Sequence, residues 1–131
     1  MTRTRVLLAD DHSSFLEAET TLLRAHFDVV GTAKSGTQLL TEGIRLDPDV
    51  IVADITMPEL SGIEAVTKLR ESDCSAKLVF LTVHAEEAFV RTCLAKGALG
   101  YVLKNQMKDH LVPAIYAALA GKTYISPLHA S

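Results

Sequence analysis

Five residues combine reactive chemistry with a shared placement: Asp10, Asp11, Asp54, Thr82 and Lys104 each lie at the end of an apolar run of strand length. Gathered in one place, three carboxylates would repel one another unless a cation joined them. An all-oxygen set with room for water suits Mg2+ (or Mn2+), which prefers an octahedral shell and keeps several waters. With the ion bound, the cluster is close to neutral and attracts a phosphoryl group. The ion and Lys104 would share that group's charge while one carboxylate attacks phosphorus in line. Asp54 is the natural nucleophile, because its strand is the most apolar and central. Each residue also has a plainer reading: Asp10 and Asp11 as helix caps, Thr82 as a β-former, Lys104 as a solvated charge. All of them falling at strand ends is much harder to explain that way.

The elements that must bring them together alternate strictly. Residues 5–9 (RVLLA), 28–33 (DVVGTA), 50–53 (VIVA), 77–82 (KLVFLT) and 100–103 (GYVL) read as strands. Between and after them, apolar residues recur at helical spacing. Helix one spans 12–26 with Phe15, Leu16, Leu22 and Leu23 inward and Ser13 or Ser14 as N-cap. Helix two spans 36–46 with Leu39, Leu40, Gly43 and Ile44 inward. Helix three spans 61–72, helix four 86–96, and helix five 108–120 with Leu111, Ile115, Ala118 and Leu119 inward. Pro113 is expected to bend the first turns of helix five.

Five such repeats predict an α/β fold, a doubly wound parallel sheet with helices on both faces. The strands at 6–9, 50–53 and 78–81 are apolar throughout, as strands covered on both sides must be. The polar second strand suits an edge. In a parallel sheet all carboxyl ends share one side, so residues after different strands converge there.

Composition narrows the function. The chain has 131 residues, 48% hydrophobic and 22% charged, with a net charge of −3, which fits one domain and leaves no basic footprint for nucleic acid. No run approaches a membrane span, and residues 1–5 lead directly into a strand, so a cytoplasmic location is expected. Cys74 and Cys93 have no CxxC spacing and read as reduced bystanders. His12, His26, His110 and His129 show no metal-ligand spacing, and His84, next but one to Thr82, is within reach of the site, although a loop histidine more often stands exposed. Tyr101 reads as packing.

The segments LLADDH, VIVADITMPELSG, VFLT and GYVLK, in this order and spacing, resemble the response-regulator receiver domain of bacterial two-component signalling over essentially the whole chain. The resemblance implies a (βα)5 fold of flavodoxin-like order 2-1-3-4-5. It also implies roles: Asp54 phosphorylated by a sensor histidine kinase, Asp11 and Asp54 on Mg2+ with the Thr56 carbonyl, and Asp10 acting mainly through water. Lys104 would contact the phosphoryl oxygens, Thr82 would swing to it, and Tyr101 would follow inward as the switch. ADDH, VVGTAKSG and GKTYISP further resemble the NarL/FixJ subgroup, in which a LuxR-type helix-turn-helix domain follows. Residues 1–122 are then the receiver and 123–131 the start of a linker, with DNA contact confined to an absent C-terminal half. Phosphorylation would act through homodimerisation or interdomain contacts. The domain would catalyse only its own phosphorylation and dephosphorylation.

Three rivals remain. A haloacid-dehalogenase-type phosphatase also uses a strand-end Asp with Mg2+, but its DxDx[TV] follows the first strand, whereas Asp54-Ile55-Thr56 lacks the second Asp and follows the third. A flavin module would need a phosphate loop after strand one, where carboxylates stand instead. A pseudo-receiver would act through protein contacts without phosphorylation. Three departures from the receiver pattern bear on detail. Val83 follows Thr82 where a small residue is common and is expected to crowd the phosphoryl site. Asn105 replaces a frequent cis-proline, which predicts a trans, more mobile loop. Pro113 in the last helix is expected to alter a surface used for dimerisation.

Overall fold

The computed structural model describes residues 3–128. The order is β1 (Arg5–Ala9), α1 (Ser13–Arg24), β2 (Asp28–Ala33), α2 (Gly36–Leu46), β3 (Val50–Ala53), α3 (Gly62–Glu71), β4 (Lys77–Thr82), α4 (Glu87–Ala95), β5 (Gly100–Leu103), α5 (Met107–Leu119) and β6 (Tyr124–Ile125). A 3-10 turn at Lys104–Gln106 links β5 to α5. All strands are parallel in one sheet, β2-β1-β3-β4-β5-β6. The flavodoxin-like order is therefore present, with the polar β2 at one edge and a sixth strand added at the other.

The continuous apolar runs divide between the two faces by the two-residue period of a strand. Val6, Leu8, Val50, Val52, Val79, Leu81 and Val102 pack with Leu16 and Leu23 of α1 and Leu111 and Ile115 of α5. Leu7, Ile51, Leu78, Phe80 and Tyr101 pack with Leu39, Leu69, Val90 and Cys93 from α2, α3 and α4. Burying each large aliphatic side chain contributes roughly 1.5–3 kcal/mol. Both faces being apolar, alternation does not by itself select the register. The run ends do: a slip would draw Asp10 or Asp54 into the sheet as an unpaired buried charge. In the observed register Ala9 pairs with Ala53, so the aspartates that follow them stand side by side.

Several local expectations need correction. Ser13 is the first residue of α1 and His12 is its N-cap, with no side-chain capping bond. The Asp10 carboxylate captures the His12 N–H at 2.9 Å, turning the chain into the helix one residue early. Phe15 and Leu22 only flank the core, while Glu19 occupies the interior between Leu16 and Leu23. Ile44 is 56% exposed, because α2 approaches α3 through Gly43, where the Leu69 methyls fill the space a side chain would take; Ile44, a hundred degrees further round, faces out. Leu119 is only partly buried, and Ala114 takes an inner position beside Ile115. Helix α5 runs continuously through Pro113. Pro113 and Asp109, whose carbonyl loses its helical donor, are both exposed, so solvent can serve it.

Within the segment read as a linker, Tyr124 and Ile125 pair with Gly100 and Tyr101. Ser126 donates its N–H to the Tyr101 carbonyl and accepts the Leu103 N–H on its hydroxyl at 3.0 Å. Two residues are too few to show a period, which is why this strand was illegible. His129 lies outside the described residues. Among the described residues no peptide bond is cis, and no helix is long and apolar enough to cross a membrane.

Candidate functional site

The carboxyl ends of β1, β3, β4 and β5 meet as the sequence pattern requires. Asp54 and Asp10 are nearly inaccessible, at 4% and 1% exposure, and Lys104 bridges them. Its ammonium donates to Asp10 Oδ2 at 2.7 Å and to Asp54 Oδ2 at 2.9 Å, and it lies 4.6 Å from the centre of the Phe15 ring. Burial alone would lower the Lys104 pKa, but hydrogen bonds to Asp10 and Asp54, together with their charge, outweigh it and hold the pKa above its ordinary value. Lys104 is thus a buried cation shared by two acids, not a solvated charge.

That sharing leaves donors to spare. Asp54 Oδ1 is buried without a hydrogen-bond partner. Asp11 is more open, and single donor atoms of Asp10, Asp11, His12 and Asp54 all lie within 4.8 Å of one another. Three carboxylates against one ammonium leave an excess of two negative charges. An orphaned buried oxygen within such a set fits a divalent cation, which would satisfy the oxygen and neutralise the excess. Asp11 and Asp54 would hold it, with the Thr56 carbonyl two residues beyond Asp54.

The loop after β3 is pressed against Asp54 by a close approach. Met57-Pro58 turns the chain back, and Ser61 and Glu64 cap α3 reciprocally. Gly62 then donates its N–H to the Ile55 carbonyl at 2.7 Å. A Cβ on Gly62 would lie 1.9 Å from the Asp54 carbonyl oxygen, so only glycine fits.

Thr82 is fully buried at the end of β4, and its hydroxyl accepts the His84 N–H at 3.4 Å. Tyr101 is also fully buried, and its hydroxyl donates to the His84 carbonyl at 2.6 Å. Burial raises the Tyr101 pKa. His84 is half-buried and central to this side of the site, so its contact with the site holds and the exposed-loop reading does not. Its ring stacks on Phe89 at 4.3 Å between centroids, and Nε2 lies 2.9 Å from Thr56 Oγ1. It therefore joins the loop after β3 to the loop after β4. Sequence reasoning missed this because 28 residues separate the two partners; their positions relative to the two strand ends were the available signal. His12 was missed as a neighbour of the carboxylates for the opposite reason, since adjacency in sequence has no ligand spacing. Val83 is exposed and lines a cavity of about 330 Å3 together with Lys104, Asn105 and Leu128.

Glu19 was not foreseen either. It is buried in α1, Oε1 has no partner, and desolvation, reinforced by Asp10, raises its pKa well above the ordinary carboxylate value. The two cysteines are free, and burial pushes the Cys93 thiol up to about 12.

The family model of the response regulator receiver domain matches residues 6–116. Response regulator GacA of Pseudomonas viridiflava is 40% identical over 126 residues, covering 94% of this chain and 58% of that protein. The nitrate/nitrite response regulator NarL of Escherichia coli K12 is 37% identical over 123 residues, covering 92% of this chain and 57% of that protein. The chain thus spans a little over half the length of these relatives. Among solved structures, a LuxR-family two-component response regulator from Aurantimonas superposes with a TM-score of 0.89 at 35% identity, covering 97% of this chain and 91% of that one.

Proposed function

The chain belongs to the response regulator receiver domain family, of the NarL and LuxR type, and from that premise we propose that Asp54 is its phosphoacceptor. The carrying observation is the state of the Asp54 carboxylate: Oδ2 is held by Lys104 while Oδ1 is buried without a partner amid two further acids. Asp54 attacks the phosphorus of a kinase phosphohistidine; the P–N bond breaks, an acyl phosphate forms, and the imidazole leaves. Lys104 is placed to follow the charge from the carboxylates onto the phosphoryl oxygens. Asp11, Asp54 and the Thr56 carbonyl would hold Mg2+ or Mn2+, with Asp10 acting through water, and the ion would supply charge neutralisation for that transfer.

Thr82 is the hydroxyl that reports the phosphoryl group, and Tyr101 is tied to the same loop through the His84 carbonyl. Phosphorylation contributes to switching only as far as it favours one arrangement of this loop over the other. The phosphoacceptor domain runs past residue 122 through the strand at Tyr124–Ile125, and the connection to a helix-turn-helix domain that carries DNA contact begins after it. The chain acts in the cytoplasm, its partner is a sensor histidine kinase, the phosphorylated form is a homodimer, and the only catalysis is the domain's own phosphorylation and dephosphorylation.

The test is intact mass after incubation with acetyl phosphate and Mg2+. A single phosphate added, and lost in Asp54→Asn or with EDTA, is the expected result. No addition, together with no binding of beryllofluoride, would overturn phosphoacceptance in favour of action through protein contacts alone.

A further inference from the structure

One donor in the acidic group has no task in the receiver chemistry. His12 sits at the N-cap of α1, yet its side chain makes no bond to the helix. It turns back over the carboxylates, with Nδ1 3.2 Å from Asp10 Oδ1 and 3.2 Å from Asp11 Oδ1. Asp10 Oδ1 already accepts the His12 N–H at 2.9 Å, so the ring is not needed to satisfy that oxygen. In a shell with donors about 2.1 Å from the ion, adjacent ligands stand about 3.0 Å apart and opposite ones about 4.2 Å. The His12–Asp11 contact matches adjacent positions of such a shell, and the 4.8 Å span of the whole group exceeds its diameter, as an Asp10 that acts through water requires. The orphaned, buried Asp54 Oδ1 independently marks the same point as lacking a partner.

We propose that His12 Nδ1 is a nitrogen donor to the divalent cation of this pocket, and that it biases the pocket towards ions that accept imidazole. The inference rests on the metal-dependent reading above and deepens it. Carboxylates, carbonyls and water suit Mg2+, which sheds its waters reluctantly, whereas imidazole adds affinity for Co2+, Ni2+ and Zn2+. Carboxylates alone would leave the usual order of these ions in place. A nitrogen donor widens the gap and makes the response of the site depend on which ion the cell supplies. The ring is 68% exposed on its outer side, so it can rotate onto an ion with no repacking of the core.

The experiment compares the wild-type chain with His12→Ala and His12→Gln, without any phosphoryl donor. Mn2+ is added and electron spin-echo modulation is read for a directly bound nitrogen. Mg2+ and Co2+ affinities are measured separately by titration calorimetry, and the Co2+ visible spectrum is recorded. Expected are a nitrogen modulation in the wild type that both variants lose, a fall in Co2+ affinity of about tenfold, and Mg2+ affinity changed by less than about twofold. Mn2+ binding without nitrogen modulation, or equal losses for Mg2+ and Co2+, would overturn the role of His12 while leaving the acidic metal site standing. Co2+ binding that survives Asp54→Asn would place the ion elsewhere and also overturn it. Absence of Mn2+ binding by the wild type would overturn both readings.

Discussion

Substituting Gly62 by alanine tests whether the close approach of α3 to the loop after β3 shapes the site. The new Cβ would meet the Asp54 carbonyl oxygen at 1.9 Å, the Asp54 carbonyl carbon at 3.0 Å and Ile55 Cα at 3.3 Å. Real Cβ contacts are essentially never shorter than 3.0 Å, so helix and loop must part by 3.0 − 1.9 = 1.1 Å or more. The obstacle is backbone, which cannot rotate aside as a side chain does. Overpacking of this kind costs about 1–3 kcal/mol, and the upper end applies here. Loss of the Gly62 N–H to Ile55 carbonyl bond adds about 1 kcal/mol. Higher helix propensity returns at most about 1 kcal/mol. The net expectation is a loss of about 3 kcal/mol, read as a fall of about 1.5 M in the urea midpoint. Because the displaced carbonyl belongs to Asp54, Mg2+ affinity should fall as well. Gly43→Ala is the matched control: its Cβ would meet Leu69 Cδ2 at 2.7 Å, a flexible methyl, and stability should stay within about 1 kcal/mol of the wild type. Gly62→Ala within about 0.5 kcal/mol of the wild type, with unchanged Mg2+ affinity, would refute the reasoning.

The buried Glu19 predicts a gain. Its folded pKa is raised, so the stability it allows is complete below about 4.5 and is lost as pH rises from there through the folded value. Glu19→Leu should therefore stabilise the protein at pH 7.5 by roughly 1–3 kcal/mol, and by less at pH 4, in urea unfolding at both values; destabilisation at pH 7.5 would show instead that the carboxylate is charged and paired. Lys104→Met leaves Asp10 and Asp54 without their shared cation and should cost about 3–5 kcal/mol in EDTA. Millimolar Mg2+ should restore part of that loss, and a variant equally unstable with and without Mg2+ would count against a metal among these acids. Cys93, buried and with its pKa at about 12, should resist a disulfide reagent at pH 8 in the native chain while Cys74 reacts, giving one thiol per chain before unfolding and two after it.

The first five strands and the five helices with their order, the parallel sheet and the residues at the strand ends were all legible from local pattern. A strand buried on both faces shows itself as an unbroken apolar run such as VIVA, and a carboxylate that stops the run shows where the sheet edge lies. Strand order came only with the family resemblance, since the run lengths of β3 and β4 are compatible with several neighbours. What tertiary structure alone decided is which groups answer one another. Lys104 binds both Asp10 and Asp54 because the β1–β3 register puts the acids side by side. His84 reaches Thr56 because two loops distant in sequence turn over the same edge. Glu19 is interior and Ile44 exterior because the packing of neighbouring elements, and not hydrophobicity at those two positions, set which part of each helix is covered. Tyr124 and Ile125 become a strand because the β5 edge offers them partners. Periodicity records what one segment prefers; burial, ion pairing and hydrogen bonding depend on the second segment that arrives to meet it, and that is a property of the packed chain.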